Sequence, residues 1–568
     1  MTGGGGWDKE VDLLIVGSGA GAMATALSAV HHGADALVIE KSSLYGGSSA
    51  TSGGVAWIPA SRSALEQGQA DSPEEAFQYI KGLTGNRVAE SKIRAFTENA
   101  AKMLDRIESM SDLRYTAIPY TDYHAENPGG KMGYRSHQPN TLHARDMDRR
   151  DFETLRPTHP SAALFDVIPW TATEAAPMVT RAKGWQLALF KVLFRYYIDI
   201  PQRLRSRRSR LLTFGNAVVG HLRNALRRKG GDLWLDTGLK SLIRDGERVV
   251  GAVVVRGGRD MRIGARKGVV VAAGGFERNA LMRNRYLPGE TRPEWSAAQP
   301  PNEGDAIEAG VAIGAALDLM DEAWWAPTVR VPGEPHGRPL FFDRALPGSL
   351  IVNQQGLRYM NEARSYDVAG KVMIDCDRPD ARTIPSWIVF DARFRSRYPM
   401  GPLKPLLPDW AHRRAVRDMF VKADNVRGLA AKMKVPPGAL EETVTRFNRF
   451  AANGVDEDFQ RGSAAYDRYY GDPNVVPNPN LAPLARAPFY AVRIYPGDIG
   501  TKGGLATDEK ARVLDAAGQP IGGLYAIGNS AASVMGPAYP GAGSTIAPAM
   551  TFGLLAVGDA LGVDTMAA

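Results

Sequence analysis

The chain has 568 residues, 44% of them hydrophobic and 23% charged, with a formal net charge of +8, an ordinary globular composition with enough apolar side chains for a large core and more than one domain. Its single cysteine, Cys376, excludes an internal disulfide and any cysteine-rich metal or iron–sulfur site, and fits a reducing cytoplasm. Met1 to Trp7 is a glycine-rich lead with neither a basic region nor an apolar stretch, so it reads as a frayed terminus rather than a secretory or lipidation signal.

An apolar run from Val11 ends at Gly17, a small-residue helical stretch from Ala20 to His32 stops at Gly33, and a second apolar run, Leu37-Val38-Ile39, ends on Glu40 and Lys41. This is a βαβ unit. Gly17 permits the tight turn, Gly19 lets a pyrophosphate approach the backbone and the helix N-terminus, and Ala22 fills the third small position. Glu40 ends the second strand where ribose hydroxyls can donate to it. The expected dinucleotide contacts are Gly17, Ser18, Gly19, Gly21, Ala22, Glu40 and Lys41. The stretch Leu44 to Gly54, with Gly46, Gly47, Ser48, Ser49, Ser52, Gly53 and Gly54, prolongs this surface further than a nicotinamide cofactor needs, and suits an extended FAD. A flexible linker is the bland alternative, but apolar structured segments flank the stretch on both sides.

Residues 61 to 112 read as helical and polar-faced, with no evident chemistry. A loop then gathers Tyr115, Tyr120, Tyr123, His124, Gly129, Gly130 and Tyr134, residues that taken singly read as surface packing. The compositional anomaly is Arg181 to Arg210, where nine basic residues face Asp199 alone, a surplus of eight that equals the net charge of the chain. From Trp185 to Ile200 the residues are apolar except Gln186, Lys191, Arg195 and Asp199. Spacing by four gathers the last three into a narrow polar stripe on an aromatic helix closed by Pro201. This helix is too short and too charged to span a bilayer. An interfacial helix followed by a polybasic run binds anionic lipid, so residues 181–210 are expected either to meet a membrane surface or to form a core helix with a solvated basic loop. No nucleic-acid recognition fold accompanies the charge.

Short strands are expected at Leu233–Asp236, Val249–Arg256 and Val269–Phe276. The last ends in Ala273 and Gly274, where a side chain on residue 274 would crowd the cofactor. Asn302-Glu303-Gly304-Asp305 opens a small-residue helix to Ala316 whose N-terminus faces flavin or phosphate. From 318 to 489 the composition turns to Trp, Pro and Arg with irregular strands, as expected of an inserted substrate domain, and lacks the residue sets of hydrolases. Redox chemistry by the cofactor is left. The C-terminal part returns to the flavin: Gly528 and Asn529 end a strand, and the turn Tyr539 to Ile546, with Gly543 and Thr545, opens a helix from Ala547 to Leu561. Its positive end would stabilise reduced flavin. The expected fold is α/β: a Rossmann-like FAD-binding domain assembled from both chain ends (1–317, with a basic amphipathic insertion at about 163–213, and 490–568), and an inserted α+β catalytic domain (318–489). No metal site is expected.

The N-terminal fingerprint, Ala273-Gly274-Gly275, Gly304-Asp305, Asn361-Glu362 and the block from Gly528-Asn529 to Gly543 resemble the fumarate-reductase and succinate-dehydrogenase flavoprotein superfamily, and more narrowly the 3-ketosteroid Δ1-dehydrogenases. The resemblance covers nearly the full chain. Thr121-Asp122-Tyr123 is similar to the family's first active-site tyrosine and Asn361 to Tyr366 to its second. Tyr539 to Gly543 supplies the third tyrosine and a backbone donor. The resemblance implies FAD-dependent 1,2-desaturation of a 3-ketosteroid. In that reaction only the C2 hydrogens beside the ketone are acidic, so Tyr539 hydroxyl and Gly543 N–H would hold the ketone oxygen as charge develops. Tyr366, as phenolate or through a relay with Tyr123, would take the C2 proton. A phenol with pKa about 10 needs donors or positive charge to act as a base at neutral pH. The stretch 163–213 departs from shorter family members. It suggests a peripheral position on the inner face of the cell membrane and a sterol-derived ketone with a long side chain, such as cholest-4-en-3-one. Three alternatives stay open: Δ4-(5α)-desaturation, a fumarate-reductase-like reaction needing cations around two carboxylates, and a membrane-bound flavoprotein that carries electrons without its own substrate. The electron acceptor is open, a quinone being one candidate.

Overall fold

The computed structural model describes residues 6–405 and 407–567. Five parallel strands form the centre of the larger sheet, in the order Asp232–Trp234, Ala36–Ile39, Lys9–Val16, Arg259–Val271 and Pro520–Ala526. Leu13 to Val16, Ala36 to Ile39 and Val269 to Val271 are buried on both faces, which is why they read as continuous apolar runs rather than alternating ones. Antiparallel strands Thr237–Asp245, Arg248–Arg256 and Arg512–Leu514 extend the sheet. The helix Ala20–His31 lies on one face against the C-terminal helix Ile546–Leu561. Their close approach depends on missing side chains: a Cβ on Gly21 would sit 2.9 Å from Ala549 Cβ, and one on Gly553 2.3 Å from Thr25 Oγ1. The chain's two ends thus share one α/β body.

A second, antiparallel sheet contains Arg338–Pro339, Ala323–Val329, Phe489–Thr501, Ser386–Phe390 and Ser349–Val352, with Phe420–Ala423 beside Phe489–Thr501. The helices Val426–Met433 and Pro437–Asn453 share a core with one face, through Leu429, Leu440 and Phe447 against Leu350 and Val389. Phe489–Thr501 pairs within this sheet, so the strand begins at the expected division at 489/490 and continues past it.

Three other readings change. Met1–Gly5 of the expected frayed lead lie outside the described residues, whereas Trp7 packs: its ring lies 2.9 Å from the place a Cβ on Gly264 would take, and Arg262 stacks on it at 5.2 Å. The helix expected to reach Ala316 runs only from Asp305 to Val311, because Gly314 turns at φ +93° and Leu317–Asp318 pairs with Gly504–Leu505. The aromatic helix spans Trp185–Tyr197, and Pro201 sits in the first turn of the next helix, Ile200–Arg205. Proline tolerates that position because its missing N–H has no partner to lose there.

The insertion ends where Leu211–Leu212 pairs with Leu142–His143, and within it Arg181 donates to Arg397 O at 2.9 Å. Its helices Ala172–Thr180 and Trp185–Tyr197 enclose a small core of their own around Ile168, Val192 and Tyr196. Two members of the polar stripe are paired, Arg195 with Glu174 at 2.7 Å and Asp199 with Arg210, while Lys191 is exposed. The outward face presents Leu187, Phe190, Phe194, Tyr197, Ile198 and Ile200 to solvent. Among the described residues no helix is long and apolar enough to cross a membrane.

Candidate active site

A cavity of about 740 Å³ runs past the carboxyl ends of the parallel strands, at Val16, Ile39, Ala272 and Ile527, the position where open α/β sheets bind ligands. Of the expected cofactor residues all line it except Gly46. That glycine turns at φ +107° directly against Ala50 and donates its N–H to Ser18 Oγ at 2.9 Å, so it supports the wall from behind. Gly17, at φ +104°, brings its backbone so close to the last residues of a neighbouring strand that a Cβ would lie 2.3 Å from the Ala272 oxygen. Ser18 Oγ donates to Glu40 Oε2 at 2.5 Å and the Ser42 N–H donates to Glu40 Oε1 at 2.9 Å. Burial pushes the Glu40 carboxyl above its ordinary value. Lys41 Nζ bridges Glu303 and Asp305 at 2.9 and 2.6 Å, tying the second strand to the Asp305 helix. At Gly274, φ +85°, a Cβ would meet Asn302 Nδ2 at 3.0 Å, so the crowding expected there involves this amide. Arg156 and Gln299, which sequence reasoning passed over, complete this end. Arg156 reaches Ser42 Oγ at 2.8 Å and Gln299 Oε1 at 3.2 Å.

The groups fit a dinucleotide with a long second half. Side chains are missing where a backbone must be approached, at Gly17, Gly19 and Gly274. Serine hydroxyls line the stretch from Ser18 to Ser52, and an acid stands at the ribose end. At the other end lie Gly528, Asn529, Thr545 and Ile546 before a 16-residue helix, whose N-terminus carries partial positive charge.

Beyond that end the expected tyrosines converge. Tyr123, Tyr366 and Tyr539 are buried and line the cavity, with ring centroids 5.4 Å apart for 123–366 and 366–539 and 5.1 Å for 123–539. Tyr123 hydroxyl donates to Tyr366 hydroxyl at 3.0 Å. Residues hundreds of positions apart are held together by backbone anchors: Tyr123 N–H and Tyr79 hydroxyl both donate to Pro540 O, at 2.9 and 2.8 Å, and Ser136 Oγ donates to Ala542 O at 2.9 Å. Behind them Asp122 accepts from Trp57 Nε1 at 2.7 Å and pairs with buried Arg135 at 3.1 Å. Gly543 turns at φ +98°, where a Cβ would lie 2.5 Å from Trp57 N, so only glycine fits. Its N–H and Tyr366 both act on the Tyr539 oxygen.

Burial pushes Tyr123 and Tyr366 well above the ordinary phenol value, and Tyr539 up to about 12. The hydrogen bond from Tyr123 favours ionisation of Tyr366 but is outweighed. Burial therefore disfavours a resting phenolate at Tyr366, and the Tyr123 donor opposes that effect. Sequence reasoning missed the aromatic wall beyond the triad: Phe341, Phe342, Tyr469 and Tyr470, with Tyr120 and Tyr470 joined hydroxyl to hydroxyl. The far wall is the inserted helix, through Ala172, Ala175, Ala176 and Val179 beside Trp170.

The profile of the FAD binding domain family matches residues 12–546. A 3-oxosteroid 1-dehydrogenase of Mycobacterium tuberculosis is 40% identical over 96% of this chain and 98% of that protein. A 4-oxocyclohexanecarboxylate 2-dehydrogenase of Sinomonas cyclohexanicum is 35% identical over 98% and 94%. The crystal structure of a 3-ketosteroid Δ1-dehydrogenase from Sterolibacterium denitrificans, in complex with 1,4-androstadiene-3,17-dione, is 44% identical with a TM-score of 0.94, over 98% of this chain and 100% of that one. The chain belongs to the FAD-binding flavoprotein family of the 3-oxosteroid 1-dehydrogenases, and FAD is its cofactor.

Proposed function

We propose that the protein desaturates the C1–C2 bond of 3-ketosteroids. The observation that carries this reading is the convergence of Tyr123, Tyr366, Tyr539 and Gly543 at the end of the cofactor cavity. Tyr539 hydroxyl and the Gly543 N–H hold the ketone oxygen and stabilise the charge that develops when C2 loses a proton. Tyr366, whose oxygen accepts from the Tyr123 hydroxyl, takes that proton as the phenolate and becomes the neutral phenol, the Tyr123 donor stabilising the ionised form beforehand. Bound FAD supplies the acceptor for the hydride that leaves C1. The aromatic wall excludes water and matches a flat, apolar ring system. A fumarate-like reaction fits less well, since the lysine and arginine among the described lining residues, Lys41 and Arg156, are both engaged at the nucleotide end. The test is anaerobic mixing of the FAD-loaded protein with a 4-ene-3-ketosteroid. Bleaching of the flavin with a product two hydrogens lighter supports Δ1 chemistry. Bleaching only by a 5α-saturated ketone, giving the 4-ene, would assign Δ4 chemistry instead.

The insertion supports a second element of the reading: the enzyme works from an anionic lipid surface on the inner face of the cell membrane. Its outward face combines seven exposed large apolar side chains, from Leu187 to Leu204, with exposed Lys183, Lys191, Arg205 and Arg207. The helix beside it, Ala172–Thr180, walls the cavity. A water-insoluble ketone, including one with a long sterol side chain, then meets the site where it is dissolved, and a membrane quinone is the matching class of electron acceptor.

A further inference from the structure

Two buried lysines take no part in the chemistry above. Lys92, on the helix Glu90–Met110, is 8% exposed and donates from Nζ to Ala532 O and Thr507 Oγ1, each at 2.8 Å. Lys502, 1% exposed, donates to Pro537 O and Ala538 O, each at 2.9 Å, with its ammonium 4.7 Å from the centroid of Trp324. Among the described residues neither forms an ion pair. An ammonium removed from water without an anion costs several kcal/mol, and two hydrogen bonds to neutral oxygens each recover only part of that. Burial pushes both lysines down to about 8, so both still carry their charge at neutral pH. Asp318 and Asp508 act on Lys92 from longer range, and Asp367 and Glu322 on Lys502, where Lys371 opposes them.

Both cations grip one segment, Ala531–Ala538, which leads from Gly528-Asn529 at the cofactor wall to Tyr539. A small cavity of about 30 Å³, room for a water molecule, lies between Lys92 and that wall, and Gly528, Asn529 and Thr545 line both it and the main cavity. On the other side Trp324 links Lys502 to the site: its ring stands 4.7 Å from Tyr539 and its Nε1 donates to Asn529 Oδ1 at 3.2 Å. The acidic residues that line the main cavity, Glu40, Glu303 and Asp305, lie at the opposite, nucleotide end.

We propose that Lys92 and Lys502 are the fixed counter-charge of the reduced site, two cations held behind the 531–538 segment that bias bound FAD toward reduction. A hydride brings two electrons and one proton, so its arrival adds one unit of negative charge to the cavity. A cation in a poorly screened interior lowers the energy of that state while leaving the neutral, oxidised state little changed. The same field favours negative charge on the ketone oxygen at Tyr539. The proposal needs the bound FAD but not the identity of the steroid, and its test uses none.

The experiment measures the midpoint potential of the FAD-loaded protein by equilibration with reference dyes. Lys92→Met and Lys502→Met should each shift the oxidised–reduced equilibrium roughly ten- to hundredfold toward the oxidised form, about 30 to 60 mV. Lys92→Arg and Lys502→Arg, which keep the charge, should stay close to the parent. Met variants with full flavin and the parent's potential would overturn the proposal. If methionine unfolds the loop, Lys92→Gln and Lys502→Gln decide, because they keep a donor for the carbonyls without the charge. A lowered potential in these variants supports the proposal, and an unchanged one overturns it. A purely structural role would alter stability or flavin content and leave the potential where it was.

Discussion

Replacing Phe190 and Phe194 together by serine should detach the protein from anionic lipid while leaving its folded body intact. The two rings are 63% and 56% exposed and stack on each other at 5.9 Å, so no core forms around them. Complete burial of a phenylalanine is worth about 1.5–3 kcal/mol, and somewhat more than half of each ring remains to be buried at a lipid interface. That leaves about 1–2 kcal/mol per ring and about 3 kcal/mol for the pair, roughly a hundredfold in partitioning. The exposed Lys183, Lys191, Arg205 and Arg207 add about 1 kcal/mol each near an anionic surface, a contribution that salt weakens and the serine variant retains. The assay is sedimentation with liposomes of anionic and of neutral lipid, at low and high salt, alongside flavin content and thermal midpoint. The parent should pellet with anionic vesicles and partly resist salt, whereas the variant should need roughly a hundredfold more lipid and lose its binding in salt. Equal lipid dependence of parent and variant, or a parent that stays in the supernatant at low salt, would refute the reasoning.

Tyr366→Phe should keep FAD and ketosteroid binding but lower kcat by roughly 10²–10⁴-fold, the usual range for a proton-transfer group; unaltered turnover would remove Tyr366 from that role. Tyr539→Phe should lose about 3 kcal/mol of transition-state stabilisation, roughly a hundredfold in kcat, and a raised KM with unchanged kcat would show that this hydroxyl only binds substrate. Glu277 is fully buried, and burial pushes it up to about 7 against the hydrogen bond from Asn302 Nδ2 at 2.6 Å. Its folded value lies above its unfolded one, so its stabilising share is complete below about pH 4.5 and is lost as pH rises through about 7, for a total of about 3 kcal/mol. Glu277→Gln should therefore gain stability relative to the parent between pH 5 and 8 in denaturant titrations, and a gap independent of pH would contradict this.

The nucleotide half of the site was legible because its constraints are local. Gly17, Gly19, Glu40 and Lys41 stand at spacings set by one turn and one helix, and backbone geometry alone dictates them. Gly46 answers to a local constraint as well, turning at φ +107° against Ala50. The tyrosines could be placed only through resemblance, since nothing in the neighbourhood of Tyr123 says that its N–H ends on Pro540 O. The same holds for Tyr469 and Tyr470, and for Lys92 and Lys502, whose partners lie at Thr507, Ala532, Pro537 and Ala538. Periodicity located the aromatic helix but not its facing. Charged residues four apart marked a polar stripe, but Glu174 and Arg210, which pair with Arg195 and Asp199, lie outside the helix and could not be read from its spacing.

The sharing of one α/β body by both chain ends sets a schedule for synthesis. When the first βαβ unit leaves the ribosome, the surface of its helix around Gly21 and Thr25 has no cover, and its partners Ala549 and Gly553 lie more than five hundred residues away. At about 5–20 residues per second, that surface waits roughly half a minute to two minutes for them. The βαβ unit is thus a nascent-chain intermediate with an apolar helix face to protect, and the cofactor can be enclosed only after the Ile546–Leu561 helix has arrived. Flavin capture is one of the last events in making this protein, and a polypeptide stalled in its final forty residues would carry nearly every cofactor contact yet lack the wall that closes on it.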